Sequence, residues 1–406
     1  MARFNFKTKI DMKTKSMRSQ ITMLMIVGFL LFIVVIFVLY LSKLSVKKES
    51  ERNLENAPEA AMDIPPIKEL VNKCLDKLAK DSILLLGKQG GYIHKSQGGT
   101  VVDYAETDEG IFFIKHLNLN VAYNIVPASF ALSRYSSEIP SYPWATFPYK
   151  IGSSNDKMFD GFFGISTMPP LNSSEGPNSI QIQIENFIDN NMASCINLDS
   201  FEVQGYNITA NSSKTSVLIG RSDISVNSKI PITINNIVTK ENVKITETST
   251  NIKVRLKDIY FFTKELIEND VRNIKFNIRS QNNNKNSFNI QLFENAFSKD
   301  DLVIITDEKS LVYGKPFEYI FARRNRAPAL YYIEKNVLEF PYLYTITQND
   351  LLQGQELRAE DPDEDENAFV ITPKLPKVLN QPQISFKIEV TDGQLSDYQV
   401  ITVNRI

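Results

Sequence analysis

The stretch ISFKIEVTDGQLSDYQVITV, from Ile384 to Val403, decides the fold of the C-terminal part of this 406-residue chain. Ile384, Phe386, Ile388 and Val390 alternate with polar residues, as in a strand with one buried face. Asp392-Gly393 is a hairpin-type turn. Gln399 to Val403 pairs back after it, so the stretch predicts two antiparallel strands.

Working back from this hairpin, composition changes at Asn325. Three short motifs then follow in order: Asn325 to Pro328 (NRAP), Ala359 to Asp365 (AEDPDED) and Val390 to Gly393 (VTDG). Together they resemble cadherin-like and bacterial Ig-like surface repeats. Such repeats start with Asn-x-Ala-Pro, carry Ala-x-Asp-Pro-Asp-Gly-Asp in the middle and close with Val-x-Asp-Gly before a strand. The resemblance implies that residues 325–406 form an all-β, Ig-like sandwich, a length that suffices for a small one. It also implies calcium as a cofactor, with Asp361, Asp363 and Asp365 as the ligands. Hard carboxylate oxygens suit that ion. Glu364 stands where the repeats have glycine. A solvated acidic turn is the alternative reading of the same run.

Residues 64–324 read as an α+β lobe with antiparallel sheets and amphipathic helices. Ile67, Leu70, Val71, Cys74, Leu75, Leu78 and Ala79 form a helical stripe opened by Pro65-Pro66 and closed at Gly87. Ile180, Ile184, Phe187, Ile188, Met192 and Cys195 mark a second helix from Ser179, and Leu256, Ile259, Phe262, Leu266 and Ile267 a third. Strands are predicted from Phe201 to Thr250, at Ile274 to Ile278, Ser287 to Phe293, Leu302 to Thr306 and Phe317 to Phe321. Gly87 to Ile93 (GKQGGYI) lacks the spacing of a phosphate-binding loop, so no nucleotide is expected.

Cys74 and Cys195 are the two cysteines, each on the apolar stripe of a predicted helix. An oxidising compartment permits one bridge between them; two buried free thiols are the alternative. Tyr142, Trp144, Phe147 and Tyr149 (in SYPWATFPY) are a candidate aromatic platform for a sugar, or else pack their loop onto the lobe. Asn172, Asn207 and Asn211 head N-x-S/T sequons.

At the N-terminus, Ile21 to Leu41 is 21 residues without a charge or proline. That is the length of a membrane-spanning helix. Arg3, Lys7, Lys9, Lys13, Lys15 and Arg18 precede it against Asp11 alone, so residues 1–20 stay cytoplasmic. Residues 42–63 form a stalk, and the bulk of the chain is extracellular. Arg18-Ser19-Gln20 before an apolar helix resembles the class III signal of archaeal flagellins and type IV pilins. The resemblance implies cleavage after Ser19, leaving Gln20 as the mature N-terminus.

The net charge is −2, and the basic leader makes the remainder more acidic still. A nucleic-acid partner is therefore not expected. His94 and His116 are the two histidines, and neither H-E-x-x-H nor G-x-S-x-G occurs. The expectation is a non-enzymatic, single-pass plasma-membrane protein with a structural or adhesive role at the cell surface, pilin-like in its N-terminus. Its partners would be the membrane and other cell-surface or filament proteins. An anchored solute or glycan receptor is the alternative, and an anchored hydrolase a third. N-terminal sequencing of the membrane-extracted protein is expected to start at Gln20; an intact Met1 excludes pilin-type processing and leaves the anchor standing.

Overall fold

The computed structural model describes residues 65–107, 110–127, 147, 149–150, 157–158, 163–196, 201, 206–237, 242–280 and 288–406. The expected leader 1–20 with Arg18, Ser19 and Gln20, the anchor 21–41 and the stalk 42–63 lie outside the described residues. Among those described, no helix is long and apolar enough to cross a membrane. Residues 67–406 form one compact unit.

Helix α1 spans Pro65–Lys88 and buries Ile67, Val71, Leu75, Ala79, Ile83 and Leu86 completely. It runs past Gly87, the expected cap. A Cβ at Gly87 would lie 2.5 Å from the Glu318 carbonyl oxygen, so this glycine permits close approach of helix and strand. The chain turns instead at Gly90 and Gly91, whose φ values of 70° and 86° favour glycine. Strands β1 (Phe113–His116) and β2 (Leu119–Val126) follow as a hairpin. Short strands β3 (Tyr149–Lys150), β4 (Lys157–Met158) and β5 (Ile165–Ser166) come next. Helix α2 spans Ile180–Cys195, and Ser179 Oγ accepts from Ile182 N–H at its start.

Strands β6 (Tyr206–Ala210), β7 (Lys214–Ile219), β8 (Ile224–Asn236) and β9 (Asn242–Ile252) form an antiparallel sheet centred on β8. Its buried face alternates along Val226, Ser228, Ile230, Ile232 and Ile234. The β8–β9 register shifts between Lys229 and Ile232, where Pro231 has no N–H to donate. Helix α3 is Leu256–Arg272. The strand expected at Ile274 to Ile278 is instead a turn and a 3-10 segment, Ile278–Ser280. The Asn273 and Asn277 side chains accept from Lys275 N–H and Ser280 N–H, offering the backbone local bonds in place of a ladder.

Strands β10 (Phe288–Phe297), β11 (Asp300–Val312) and β12 (Lys315–Arg323) complete a second sheet in the order β1-β2-β12-β11-β10. The β12–β2 pairing is parallel, a departure from the antiparallel expectation. One continuous core joins α1, α2, α3 and both sheets.

The C-terminal part comprises β13 (Ala329–Leu330), β14 (Val337–Phe340), β15 (Thr345–Ile346), helix α4 (Gln348–Leu352), β16 (Ala359–Glu360), β17 (Ala368–Thr372), β18 (Lys377–Val378), β19 (Gln383–Thr391) and β20 (Ser396–Arg405). The β19–β20 hairpin has the expected alternation: Phe386, Ile388 and Val390 are fully buried, as are Ile401 and Val403 opposite. With Leu330, Leu351 and Leu379 they build a core of their own. Two features differ from an all-β antiparallel reading. Helix α4 is fixed by a Thr347–Asp350 capping box, and β14 runs parallel to β20. The described chain is α+β, rich in strand.

Cys74 on α1 and Cys195 on α2 are disulfide-bonded, with Cα atoms 5.8 Å apart at a sequence separation of 121. Replacing both by serine is expected to lower stability by about 2–5 kcal/mol. The check is a lower urea midpoint than wild type under oxidising conditions; an unchanged midpoint refutes the bridge.

Candidate functional site

The acidic run expected as a calcium loop or a solvated turn faces the lobe. Ala359 to Asp365 meets the lobe through Lys275–Glu360 (3.2 Å), Asn277–Glu364 (2.6 Å) and Lys299–Asp365 (3.2 Å). At its centre are two arginines from the end of β12 and the NRAP motif. Arg323 and Arg326 are 2% and 1% exposed, among Asp270, Asp301 and Asp363, none more than 5% exposed.

The geometry satisfies these charges one by one. Arg326 Nη2 and Nε donate to Asp363 Oδ1 at 2.7 and 3.1 Å, and Arg326 N–H donates to Asp363 Oδ2 at 2.6 Å. Arg326 Nη2 also lies 2.9 Å from Asp270 Oδ2 and donates to the Pro362 carbonyl. Arg323 Nη1 donates to Asp270 Oδ1 at 3.0 Å, and its Nη2 and Nε donate to Asp301 Oδ2 at 2.6 and 3.1 Å. Arg323 Nε is a further 3.2 Å from Asp363 Oδ1. Burial opposes the charge on both guanidinium groups. Asp363 and Asp270, joined at Arg323 by Asp301, more than offset it and hold both arginines charged.

The third motif joins in. Asn325 Nδ2 donates to Asp392 Oδ2 at 2.7 Å, and Asn325 N–H donates to Asp300. Asp392 Oδ1 accepts from Gln394 and Leu395 N–H, fixing the hairpin turn. The three motifs that stand far apart in sequence therefore meet at one junction.

Calcium does not fit Asp361, Asp363 and Asp365 as a ligand set. Both Asp363 oxygens are occupied by Arg326 donors, and Asp365 Oδ2 is ion-paired to Lys299. Among the described residues, no group of three or more His, Cys, Asp or Glu side chains is arranged to hold a metal ion. Glu364, where the resembling repeats have glycine, adopts φ 64°.

Of the aromatic platform, Tyr142 and Trp144 lie outside the described residues, as does the Tyr149 side chain. Phe147 is corrected: it is fully buried, edge-on to Phe163 and Tyr331 at 6.0 and 5.1 Å, and serves the core. Asn172, Asn207 and Asn211 are all exposed, as acceptors of a glycan must be. His94 and His116 do not form a pair: His94 Nδ1 accepts from Ser96 N–H, while His116 ends β1.

Sequence reasoning missed Asp270, Asp301, Arg323 and Arg326 as members of one cluster. Asp270 carried a faint signal, an acid in the last turn of a helix, where the macrodipole disfavours it. No family model matches this chain, and no curated protein is found to be similar to it.

Burial, reinforced by Asp363, pushes the Asp361 carboxyl up to about 7, and burial also raises Asp301 and Asp365. A carboxyl raised in the folded state favours folding fully below its ordinary value, and loses that contribution as pH rises through the folded value. The contribution of these three carboxyls is therefore expected to decline between about pH 4 and pH 7.5. Asp361→Asn should flatten part of that decline and gain up to a few kcal/mol at pH 8, measured by urea titration across pH; an unchanged slope contradicts the assignment.

Proposed function

We propose that this chain is a membrane-anchored extracellular surface protein with a structural and adhesive role, pilin-like in its N-terminal processing and carrying an Ig-like module at its C-terminus. The observation that carries this reading is the Cys74–Cys195 bridge, a covalent staple of the oxidising side of a membrane. The apolar run Ile21 to Leu41 and the exposed sequon asparagines support the same side. The buried junction makes lobe and module one body, as a load-bearing surface protein requires.

Adhesion is supported by the end of the module away from the junction. There Pro341 to Tyr344 forms a turn whose Leu343 N–H donates to Leu379 O, while Leu379 N–H donates to Tyr344 O. Leu343 is held at φ 63°, a strained conformation for leucine, and stands 59% exposed beside Tyr342, 55% exposed. Arg405 lies over the Tyr342 ring at 5.2 Å. Exposed tyrosine beside arginine matches the composition of protein contact surfaces, and the partner is another cell-surface or filament protein.

A second reading, an anchored receptor for a polar solute or glycan, is favoured by one cleft. It has a volume of about 410 Å3 and is lined by His94, Ser96, Asp103, Glu106, Lys115 and Asn120. Its size falls within the range of small-molecule sites.

On intact cells, a membrane-impermeant amine reagent is expected to label the protein while it stays in the carbonate-washed membrane fraction. Leu343→Asp should cut surface attachment several-fold without altering that labelling. Protection from the reagent rejects the extracellular reading. Full attachment by Leu343→Asp, with attachment lost in Asn120→Ala, favours the receptor.

A further inference from the structure

We propose that Arg323 and Arg326 are a built-in replacement for a metal ion at this junction, so that the acidic turn is held against the lobe by two guanidinium groups and needs no calcium. The inference stands on the junction geometry and is independent of the adhesive reading.

Three observations carry it. Asp363, the central acid of the run, has Oδ1 and Oδ2 both occupied by Arg326, at 2.7 and 2.6 Å. Two guanidinium groups carry the charge of one divalent cation, and they enter among three buried carboxylates from three different elements. Arg326 also reaches past the carboxylates to the main chain, with Nη2 donating to Pro362 O at 2.9 Å and Nη1 to Asp270 O at 3.3 Å. A metal ion accepts electron pairs and can join oxygens only to itself. A guanidinium donates along fixed directions, so it also sets the orientation of the turn.

The same neighbourhood holds buried oxygens that could serve a cation if the arginines were absent. Asn325 Oδ1, Asp361 Oδ2 and Asn367 Oδ1 are buried without a hydrogen-bond partner. These atoms make the replacement testable. Removing one guanidinium frees Asp363 beside them and should convert a metal-indifferent junction into a metal-responsive one.

The test uses the full-length protein and its Arg326→Met and Arg326→Lys variants, with calcium chloride or a chelator as the probe. The wild-type melting temperature is expected to be the same in a millimolar chelator and in millimolar calcium, with no calcium uptake in equilibrium dialysis. Arg326→Met should melt several degrees lower in chelator and recover part of the loss in calcium, with uptake of about one ion, since a ligand that binds only the folded state raises its melting point. Arg326→Lys keeps the charge without the fork; it should melt between the two and remain indifferent to calcium. A wild-type melting point that rises in calcium, or wild-type uptake of an ion, overturns the proposal. So does a folded Arg326→Met that gains no response to calcium. If Arg326→Met does not fold, the wild-type titration decides by itself.

Discussion

The bond between Arg326 and Asp363 is the constraint on which the junction depends. A buried guanidinium is stable only when its donors are all used and its charge is met. Arg326 meets Asp363 through side chain and main chain together, so the NRAP segment cannot shift without breaking both kinds of contact. Arg323, the last residue of β12, is tied to Asp270 and Asp301. The position of the strand end is thereby locked to the last turn of α3 and to the start of β11. The five side chains carry three negative and two positive charges. Their surplus negative charge is consistent with the upward shift of Asp301, for which burial is the first cause.

Asp270 shows what the cluster demands elsewhere. An acid in the last turn of a helix opposes the macrodipole by a few tenths of a kcal/mol to about 1 kcal/mol. It is also nearly inaccessible to water. Both penalties are offset because its two oxygens reach two different arginines. Truncating one partner in such a set leaves the others buried and uncompensated, at a typical loss of about 3–5 kcal/mol. The cluster therefore ties the C-terminal module to the lobe through α3, β11 and the end of β12 together.

Much of the fold was legible because it rests on periodicity. The stripes on α1, α2 and α3 and the alternation in β19 and β20 place their residues where burial requires. The cysteine pair was legible because each lay on such a stripe. The errors arose where local polar chemistry or backbone geometry overrode the pattern. Asn273 and Asn277 turn an expected strand into a 3-10 segment, and Gly87 fits a strand contact where a helix end was expected. The site was legible only in part. The three motifs at 325, 359 and 390 were found, but that they converge on Asp270 and Asp301 is tertiary information that no local spacing contains. The charged residues of the acidic run look solvated in sequence because their partners lie about 35 to 90 positions away.

Glu364 shows in which direction the junction is held. A residue with a side chain at φ 64° sits in the left-handed region, at about 1–2 kcal/mol. Glycine would adopt it freely; here the turn closes on Glu364 N–H donating to Asp361 O at 3.2 Å and Asp363 N–H donating to Asp361 Oδ1 at 2.8 Å. It is also held from outside, by Asn277 donating to the Glu364 carboxylate at 2.6 Å, by Lys299 on Asp365 and by the arginines on Asp363. All four of these partners lie in the lobe or at its exit, between residues 277 and 326. A calcium loop organises itself around its ion through its own ligands. This turn draws on arginine, lysine and asparagine donors from the lobe as well as on its own Asp361.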